Sequence, residues 1–427
     1  MISEPSNPTI GILVGGGPAP GINSVIHSAT IEAINNGLNV VGMYDGFKHL
    51  MQGQVVSKPL AISDVSRIHL DGGSILRTSR ANPTKAKESL NNCVHALIDA
   101  GISYLLAIGG DDTAYSTYTV ARYAEEHMGV KIRTVHVPKT IDNDLPLPEG
   151  IRTFGFETAR ELGTRIVMNL MEEALTGQRW FLVVVMGRKM GHLALGIGKS
   201  SGATLTVIPE EWRGREIHLQ EVTDILATAM IKRLAEGKRY GVALVAEGIV
   251  EHLSHEDLEV LDTVERDDHG HIQLSELNCP DVLKRALHKE LRGLGIDMRV
   301  VSKDLGYELR CADPIAFDID YTRSLGQAAV DFLLDGGSNA TITIQQNQVV
   351  PIPFEKMMDP KTGRTEVRKV NVDSFTYQSA YKFMIRLKPQ DADDEMLLAR
   401  MATHTNLSLE EFKARFGYML GIAPRPF

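Results

Sequence analysis

Residues 9–43 read TIGILVGGGPAPGINSVIHSATIEAINNGLNVVGM. The first six residues form a short apolar run that predicts a buried strand, and the three glycines after it predict a loop. Apolar residues then recur from Ile22 to Ile34 at helical spacing, which predicts a helix with one buried face. The run that begins at Leu38 predicts the next strand. The stretch therefore predicts a βαβ unit and an α/β fold.

The loop between this strand and this helix contains Gly15, Gly16, Gly17 and Gly21. Their spacing matches neither the dinucleotide motif G-x-G-x-x-G nor the Walker motif G-x-x-x-x-G-K-[ST]. Glycines let the backbone approach a ligand closely, and the N–H groups at a helix start suit a phosphate. A tight turn that serves only packing explains this loop alone equally well.

The composition is that of an ordinary soluble globular protein. The chain has 427 residues, of which 43% are hydrophobic and 23% charged, and this length predicts two domains. A formal net charge of −9 argues against a general nucleic-acid or anionic-membrane surface. Three widely spaced cysteines predict reduced thiols, and no signal peptide or membrane-spanning run is recognisable. We therefore expect a cytoplasmic protein without a nucleic-acid or membrane partner.

Charged residues follow the ends of four predicted strands. The strand YLLAI runs into GGDDT at 109–113, and the strand VHVP runs into KTIDND at 139–144. Two further strands, WFLVVVM and YGVALVA, are followed by Arg188 and Glu247. Because open α/β sheets place their chemistry beyond the carboxyl ends of the strands, these four junctions predict an active site.

The residues at these junctions are those that phosphoryl transfer requires: a carboxylate for a metal, cations along the phosphates, and a base. Asp111 or Asp144 could hold Mg²⁺, and Asp142 could act as the base. The candidate phosphate-binding cations are Lys139, Arg80 and Arg188. One of the adjacent Asp111 and Asp112 could instead be only a helix cap. The residues alone predict a sugar or small-molecule kinase of unspecified substrate.

Further cations lie in the second half of the chain. Arg179 precedes the strand WFLVVVM. The segment MRVVSKDLGYELR at 298–310 is predicted to be a loop, and it carries Arg299, Tyr307 and Arg310. Residues 320–334 predict a helix, and ATITI predicts a strand.

The order of these motifs resembles that of the 6-phosphofructokinases. GGGPAPGIN, GGDDT, PKTIDND, MGRKMGH, VAEG and LGYELR occur in the order and approximate spacing of that family, over residues 9–389. ATP-dependent bacterial members typically read GGDGS and PGTIDND. Here Asp112 and Lys139 replace the two glycines, as in the pyrophosphate-dependent branch of the family. The resemblance therefore implies that pyrophosphate is the phosphoryl donor.

The resemblance also implies a role for each matching position. Asp142 corresponds to the base that deprotonates the sugar 1-hydroxyl, Asp144 supports it, and Asp111 corresponds to the carboxylate associated with Mg²⁺. The implied catalytic residues are Asp142, Asp144, Lys139 and Arg188. The implied donor-binding residues are Gly16, Gly17, Arg80, Asp112, Thr113 and Lys139. The implied sugar-phosphate residues are Thr140, Asp142, Arg179, Met186, Gly187, Arg188, Glu247, Arg299, Tyr307 and Arg310. Of these, Arg179 matches an arginine that usually reaches in from a neighbouring subunit.

Asp112 and Lys139 have a physical reason to select pyrophosphate. A carboxylate at position 112 occupies space that a nucleotide α-phosphate needs and repels its charge. Two like charges about 4 Å apart cost roughly 4 kcal/mol at an effective dielectric near 20, or about three decades of discrimination. Lys139 adds a cation for a small, highly charged donor. Pro18 and Tyr307 depart from the ATP-dependent pattern, because many relatives have Asp at the first position and bacterial ATP enzymes have His at the second.

We therefore expect two doubly wound, Rossmann-like α/β domains with the active site in the cleft between them. The donor domain would comprise residues 1–155 and a returning segment near 312–355. The sugar-phosphate domain would comprise residues 156–311 and C-terminal helices within 356–427. The expected activity is reversible, Mg²⁺-dependent transfer of phosphate from pyrophosphate to the 1-hydroxyl of fructose 6-phosphate. It would belong to glycolysis or gluconeogenesis, and the resemblance implies a homodimer or homotetramer.

Four alternatives stay open on the sequence. The chain could be an ATP-dependent 6-phosphofructokinase, since some relatives tolerate a Lys before TIDND, or its acceptors could include sedoheptulose 7-phosphate. A regulatory subunit that only binds sugar phosphate is opposed by the intact TIDND, because such paralogues lose the base. A nicotinamide oxidoreductase is the weakest alternative, because the glycine loop lacks the dinucleotide fingerprint.

Overall fold

A computed structural model describes residues 7–259, 278–358, 365 and 367–426. The chain forms two compact units. Unit 1 comprises Met1–Ala159 and Tyr307–Arg368, and unit 2 comprises Arg160–Gly306 and Lys369–Phe427. The chain passes between the units after residues 159, 306 and 368, where the sequence placed the boundaries after 155, 311 and 355.

Unit 1 contains a seven-stranded sheet with the order β11-β10-β5-β4-β1-β2-β3. Its strands are β1 (Thr9–Val14), β2 (Asn39–Met43), β3 (Ser57–Pro59), β4 (Ile102–Gly109), β5 (Arg133–Pro138), β10 (Ala340–Gln345) and β11 (Gln348–Pro353). The strands from β10 to β2 are parallel, and the edge strands β3 and β11 are antiparallel to their neighbours. The central strand β4 therefore has parallel neighbours, β1 and β5, on its two sides.

Helices cover both faces of this sheet. The helices of unit 1 are α1 (Ile22–Asn35), α2 (Ile62–Val65), α3 (Lys87–Asp99), α4 (Asp111–Met128), α11 (Tyr307–Arg310) and α12 (Ala316–Leu334), and α5 (Phe156–Gly177) leads into unit 2. Alternate residues of a strand point to opposite faces. Ile10 and Ile12 accordingly pack with α1 and α12. Leu13 points to the opposite face of the sheet from Ile12 and packs with α3 and α4. Unit 1 is thus a three-layer α/β domain.

Unit 2 contains a parallel four-stranded sheet with the order β7-β8-β6-β9. Its strands are β6 (Trp180–Val185), β7 (Leu205–Val207), β8 (Gly241–Ala246) and β9 (Val300–Leu305). Its helices are α6 (His192–Ser201), α7 (Leu219–Leu234), α8 (Gly248–Glu251), α9 (His255–Glu259), α10 (Cys279–Gly293), α13 (Phe375–Phe383), α14 (Glu395–Ala402) and α15 (Leu409–Phe416). Every residue of β6 and β8 is buried, which explains their continuous apolar sequences.

The predicted α/β fold class with two domains is confirmed. One local prediction was wrong: residues 298–310 are not a loop, because they form β9 and the short helix α11. Among the strands that the structure describes, β9 pairs with β6 alone and lies at the sheet edge, where Lys303 is half-buried and Asp304 is exposed. These polar residues conceal the strand in the sequence, although edge strands tolerate them.

Short 3₁₀ helices occupy Leu50–Gln52, Ile68–Leu70, Pro83–Lys85, Pro209–Trp212, Phe354–Met357 and Pro389–Asp393. Among the residues that the structure describes, none of the helices has the length and apolar character required to cross a bilayer.

Candidate active site

In unit 1, three of the predicted motifs lie beside one another. The glycine loop follows β1, GGDDT follows β4 and KTIDND follows β5, and these three strands are parallel neighbours. Backbone hydrogen bonds connect these segments directly. Gly15 N donates to Ile108 O and Lys139 N donates to Gly109 O, each over 2.8 Å. The carboxyl edge of the sheet therefore assembles these motifs as the sequence analysis expected.

The glycine loop has no room for side chains. Gly16 has a φ of +82°, which favours glycine. A Cβ on Gly15 or on Gly109 would collide with the Thr113 side chain, which is 5% exposed. Thr113, predicted to bind the donor, thus packs between two glycines. The loop presents backbone rather than side chains to its surroundings, as a close phosphate contact requires.

Lys139 places its charge inside this loop. Its side chain is 4% exposed, and its Nζ donates a hydrogen bond to Gly17 O over 2.5 Å. A Cβ on Gly16 would lie 3.0 Å from the same Nζ. A buried ammonium is costly unless polar groups surround it, so the loop carbonyl offsets part of that cost. Lys139 is therefore positioned to attract an anion to the glycine loop.

Arg310 also lies against the glycine loop. A Cβ on Gly17 would collide with its guanidinium, so glycine at this position makes room for the arginine. Tyr307 is 73% exposed, and the Arg310 guanidinium lies 5.6 Å from its ring centroid. Both residues are among those that the family resemblance implies for the sugar phosphate. The structure places Arg310 with the predicted donor residues of unit 1.

The two adjacent aspartates begin helix α4. Gly110 is the N-cap residue, and Asp111 and Asp112 lie in the first helical turn. Asp111 is half-buried, whereas Asp112 is exposed. The helix dipole stabilises negative charge at this end, so both carboxylates are compatible with the fold without a bound cation. Arg80 is exposed and follows Ser79, whose carbonyl accepts a hydrogen bond from Gly16 N.

The TIDND segment is buried and tightly held. Asp142, Asn143 and Asp144 are 8%, 9% and 8% exposed. Asn143 adopts a φ of +56°, and its Oδ1 accepts a hydrogen bond from Thr153 N over 3.1 Å. Asp142 N donates to Thr140 Oγ1 over 3.0 Å. The left-handed residue turns the chain between the two aspartates, and such backbone conformations in non-glycine residues concentrate at functional sites.

Arg368 fixes this segment, and the sequence analysis missed it. Its guanidinium donates to Asn143 O over 3.0 Å, to Asn143 Oδ1 over 2.5 Å and to Ile151 O over 2.6 Å. Its backbone N donates to Asp144 O over 2.8 Å. Burial lowers the pKa of Arg368, and the charge of Asp144 opposes that shift. Arg368 lies more than two hundred positions along the chain from Asn143, so no local pattern could have indicated this contact.

We expect Arg368→Ala to lower kcat about 10- to 100-fold, because losing the clamp lets the Asp142 segment move by the order of an ångström. The exposed Arg323 on α12 gives the matched control, Arg323→Ala, which should keep kcat within about 2-fold. Initial rates of both variants provide the measurement. Equal rates in the two variants would show that Arg368 does not position the segment.

His136 is a second residue that the sequence analysis missed. It is fully buried on β5, its Nε2–H donates to Gly109 O over 2.8 Å, and its Nδ1 accepts from Thr341 Oγ1 over 3.0 Å. Gly109 O also accepts from Lys139 N, so His136 ties β5 to the GGDDT loop. Burial is the main cause that lowers the pKa of His136 to about 4. A polar residue within the apolar run TVHVP was the available signal.

This pKa predicts a loss of stability in acid. An unfolded His has a pKa near 6.5, so between pH 6.5 and 4 the unfolded chain binds the proton more readily. The stabilisation is complete above pH 6.5 and is lost as the pH falls to about 4, amounting to about 3 kcal/mol. In His136→Asn the free energy of unfolding should therefore fall less steeply over this window, whereas the exposed His95→Asn control should follow the wild type. Identical slopes for His136→Asn and wild type, measured by denaturant titration, would contradict this role.

In unit 2, three predicted sugar-phosphate residues lie together at the carboxyl edge of β6. Met186, Gly187 and Arg188 follow that strand, and Glu247 follows the neighbouring β8. Glu247 Oε2 accepts a hydrogen bond from Gly187 N over 3.2 Å. Arg188 is exposed and has a φ of +49°, a conformation uncommon for a residue with a side chain. The loop after β6 therefore carries the cation of Arg188 and contacts the carboxylate of Glu247.

Glu210 holds the far end of this loop. It is 8% exposed, and its Oε1 accepts from Gly191 N over 3.0 Å and from Val370 N over 3.1 Å. Burial raises the pKa of Glu210, and the two backbone donors oppose the shift. The carboxylate thus connects MGRKMGH to the segment that follows residue 369.

Arg179 and Arg299 lie at the opposite edge of the same sheet. Each immediately precedes a strand, β6 and β9 respectively, and Trp180 N donates to Arg299 O over 3.0 Å. A six-residue strand spans about 20 Å, so within unit 2 these arginines are separated from Met186 and Glu247 by that length. The structure does not bring the two arginines to the other predicted sugar-phosphate residues of the same unit.

Asp111 is the residue that the family resemblance implies for Mg²⁺. Among the residues that the structure describes, no group of three or more His, Cys, Asp or Glu side chains could enclose a metal ion. Mg²⁺ is commonly held by one or two carboxylates together with substrate phosphates and waters, so it does not need such a group. Asp111, half-buried within GGDDT, which follows the strand next to the one that leads into the glycine loop, fits that kind of partial ligand set.

Comparisons with known proteins show which family this chain resembles in sequence and in fold. The family described as Phosphofructokinase matches residues 9–333. A pyrophosphate–fructose 6-phosphate 1-phosphotransferase of Thermotoga maritima is 51% identical over 413 residues, which cover 95% of this chain and 97% of that protein. The protein of the same description from Naegleria fowleri is 47% identical over 430 residues, covering 98% of each. A solved pyrophosphate-dependent phosphofructokinase from Marinobacter aquaeolei shares the fold, with a TM-score of 0.66 at 16% identity, over 88% of this chain and 90% of that one.

Proposed function

Because this chain belongs to the phosphofructokinase family, we propose that it transfers phosphate from pyrophosphate to the 1-hydroxyl of fructose 6-phosphate. The products are fructose 1,6-bisphosphate and phosphate, and the reaction is reversible. The observation that carries the choice of donor is Lys139, whose ammonium lies within the glycine loop next to GGDDT. The 51% and 47% identical relatives, both described as pyrophosphate-using enzymes, support the same choice.

In the proposed mechanism, Asp142 accepts the proton of the sugar 1-hydroxyl. The hydroxyl oxygen forms a bond to one phosphorus of pyrophosphate, the P–O–P bridge breaks, and phosphate leaves. Asp144 supports the base, and the clamp of Arg368 on Asn143 holds both aspartates in place. Such a reaction depends mainly on positioning and on charge stabilisation, because the transition state needs little covalent help from the protein.

The charges of the donor are assigned to unit 1. Gly16 and Gly17 offer backbone at close range, and Lys139, Arg80 and Arg310 supply positive charge. Magnesium is the proposed cofactor, held by Asp111 together with phosphate oxygens, and when bound it neutralises part of the donor charge. Asp112, exposed at the start of α4, is assigned to exclude the further phosphate of a nucleotide.

The sugar phosphate is assigned to Met186, Gly187, Arg188 and Glu247, and Thr140 and Tyr307 are proposed as further contacts. Glu247 accepts a hydrogen bond from Gly187 N, so the loop that offers Arg188 is held in one conformation. We further propose that the enzyme acts in the cytoplasm, in glycolysis or gluconeogenesis, where its sugar phosphates occur.

We also propose a homo-oligomer whose active sites are shared between subunits. Arg179 and Arg299 precede strands of the unit 2 sheet, whereas Met186 and Glu247 follow strands of that sheet. Within unit 2, the length of a strand therefore separates the two arginines from Met186 and Glu247, and we infer that they do not contact the same sugar phosphate. A neighbouring copy can supply the two arginines instead, as the family pattern implies for Arg179. The number of copies is two or four.

Subunit mixing tests this sharing. We expect Arg179→Ala and Asp142→Asn to be nearly inactive alone, because each site loses either a phosphate contact or its base. After mixing and subunit exchange, some sites combine intact Asp142 from one chain with intact Arg179 from another, and activity should return to about a quarter of wild type. Mixing two batches of Asp142→Asn is the control. Absence of any recovery after verified exchange would place both residues in one chain's site.

The proposed function itself is tested by identifying the product. Phosphorus NMR of the enzyme with Mg²⁺, pyrophosphate and fructose 6-phosphate should show fructose 1,6-bisphosphate and phosphate forming together. Fructose 1-phosphate, in which the accepting hydroxyl is blocked, should give no product. A phosphorylated product from fructose 1-phosphate, or none from fructose 6-phosphate with any donor, would overturn the assignment.

A further inference from the structure

A cavity of about 320 Å³ lies within unit 2. It is enclosed by the 3₁₀ helix Pro209–Trp212, by α7 and α13, and by the chain at 386–389 and 418–425. None of the residues proposed for catalysis, donor or sugar-phosphate binding lines it. Ligand pockets begin at about 300 Å³, so the cavity is large enough for a small metabolite.

The lining carries more positive than negative charge. Four arginines, Arg213, Arg215, Arg386 and Arg425, line the cavity with two carboxylates, Glu211 and Glu221. Glu221 is already saturated, because it accepts hydrogen bonds from Arg215 at 2.5 and 2.8 Å and from Trp212 Nε1 at 2.9 Å. Arg425 is 3.7 Å from the same carboxylate and 53% exposed. Its charge therefore remains poorly compensated and accessible to a ligand.

Arg386 adds a buried donor without a partner. It is 6% exposed, and one of its terminal nitrogens pairs with Glu211 over 2.8 Å. Its Nε is buried and has no hydrogen-bond partner among the residues that the structure describes. A buried donor without an acceptor is unfavourable, and each such group in a folded protein calls for an explanation, of which a ligand acceptor is one.

Aromatic side chains complete the cavity. Tyr377 and Tyr381 line one wall from α13, and Trp212 and Tyr418 line others. The Arg386 guanidinium lies 5.1 Å from the centroid of the Tyr381 ring, which holds the cation in place. The surroundings of Arg386 and Arg425 thus combine fixed cations, phenol hydroxyls and ring faces.

We propose that this cavity is a binding site for a small phosphate monoester. A monoester carries a charge of about −1.5 to −2 near pH 7. Arg213 is already paired with Asp373 at 2.7 and 3.0 Å, and the lining still keeps one more arginine than the carboxylates that face or pair with its arginines. The planar guanidinium of Arg425 and the unpaired Nε of Arg386 are donors that a tetrahedral phosphate accepts. The tyrosines can bind a short hydroxylated chain. The site is independent of the proposed catalytic reaction and does not rest on it.

Calorimetric titration with glycerol 3-phosphate, in metal-free buffer at low ionic strength, tests the proposal. The wild type should bind, and Arg425→Glu should weaken binding by at least about 10-fold, since it replaces the least compensated cation by an anion. Arg400→Glu, which makes the same change at an exposed site on α14, should bind as the wild type does. Arg188→Ala should also bind normally, because Arg188 belongs to the assigned sugar-phosphate site. Thermal melting of each variant verifies its fold.

Tryptophan emission gives a second readout, because Trp212 lines the cavity and Trp180 is buried on β6. At a concentration that half-saturates the wild type, glycerol 3-phosphate should change the emission of the wild type and of Arg188→Ala, and should change that of Arg425→Glu much less. No heat and no emission change in the wild type at millimolar ligand would overturn the proposal. So would equal affinities of Arg425→Glu and Arg400→Glu, or loss of binding in Arg188→Ala, which would place the phosphate in the sugar-phosphate site.

Discussion

Replacing Asp142 by Asn is expected to lower kcat about 10²- to 10⁴-fold while leaving KM for both substrates within a few-fold. The amide keeps the size of the carboxylate but cannot accept the proton of the sugar hydroxyl, and general-base catalysis commonly contributes this factor. Asp142 is 8% exposed within a segment that Arg368 clamps, so the substitution alters the chemistry more than the position of the loop. Steady-state rates with pyrophosphate and fructose 6-phosphate provide the measurement.

The matched control for this change is Asp99→Asn. Asp99 is exposed at the end of α3 in the same unit, and it should keep wild-type kcat. Both variants should melt within a few degrees of the wild type, since each preserves side-chain volume. An Asp142→Asn enzyme that turns over at the wild-type rate would remove the base from the mechanism, and the regulatory-subunit alternative would return.

Replacing Asp112 by Gly is expected to raise kcat/KM for ATP. The kcat/KM for pyrophosphate should change by a smaller factor than that for ATP. The size of the gain depends on the local dielectric. Two like charges about 4 Å apart repel by roughly 4 kcal/mol at a dielectric near 20, but by only about 1 kcal/mol in water. Because Asp112 is exposed on α4, we expect a gain between about 5-fold and about 10³-fold.

A second variant separates charge from size at this position. Asp112→Asn removes the charge and keeps the volume, whereas Asp112→Gly removes both. If electrostatic repulsion excludes ATP, the two variants should gain ATP activity equally. If steric exclusion dominates, glycine alone should gain. Kinetics in which neither variant uses ATP better than the wild type would show that Asp112 does not select the donor, and Lys139 would then be the residue to examine.

The unit 1 sheet, and the edge of it that carries GGDDT and KTIDND, could be predicted from the sequence because both follow from local patterns. The stretch 9–43 has the alternation of strand, glycine loop and helix that a βαβ unit requires, and it forms β1, α1 and β2. The buried strands β6 and β8 are continuous apolar runs. Charged residues directly after such strands were sufficient to place GGDDT and KTIDND together.

The contacts that hold the site in shape could not be predicted in this way. Arg368 and Asn143 are 225 positions apart in the sequence, and nothing in the sequence around Arg368 indicates that Asn143 is its partner. His136 is part of an apolar strand, where its polarity was a signal but its partner Gly109 was not. The edge strand β9 is concealed by Ser302, Lys303 and Asp304. Arg179 and Arg299 are arginines like the other predicted phosphate ligands, so the residue type does not distinguish them. Only the strand directions of the unit 2 sheet show that they lie at its amino end.

We propose that the glycine loop with Lys139 and Asp112 accepts a donor made of two phosphates. The most direct measurement is kcat/KM for pyrophosphate and for ATP in one assay of fructose 1,6-bisphosphate formation by the wild-type enzyme. We expect rapid turnover with pyrophosphate and a kcat/KM for ATP lower by at least about 10-fold. Strong turnover with ATP and none with pyrophosphate would contradict it.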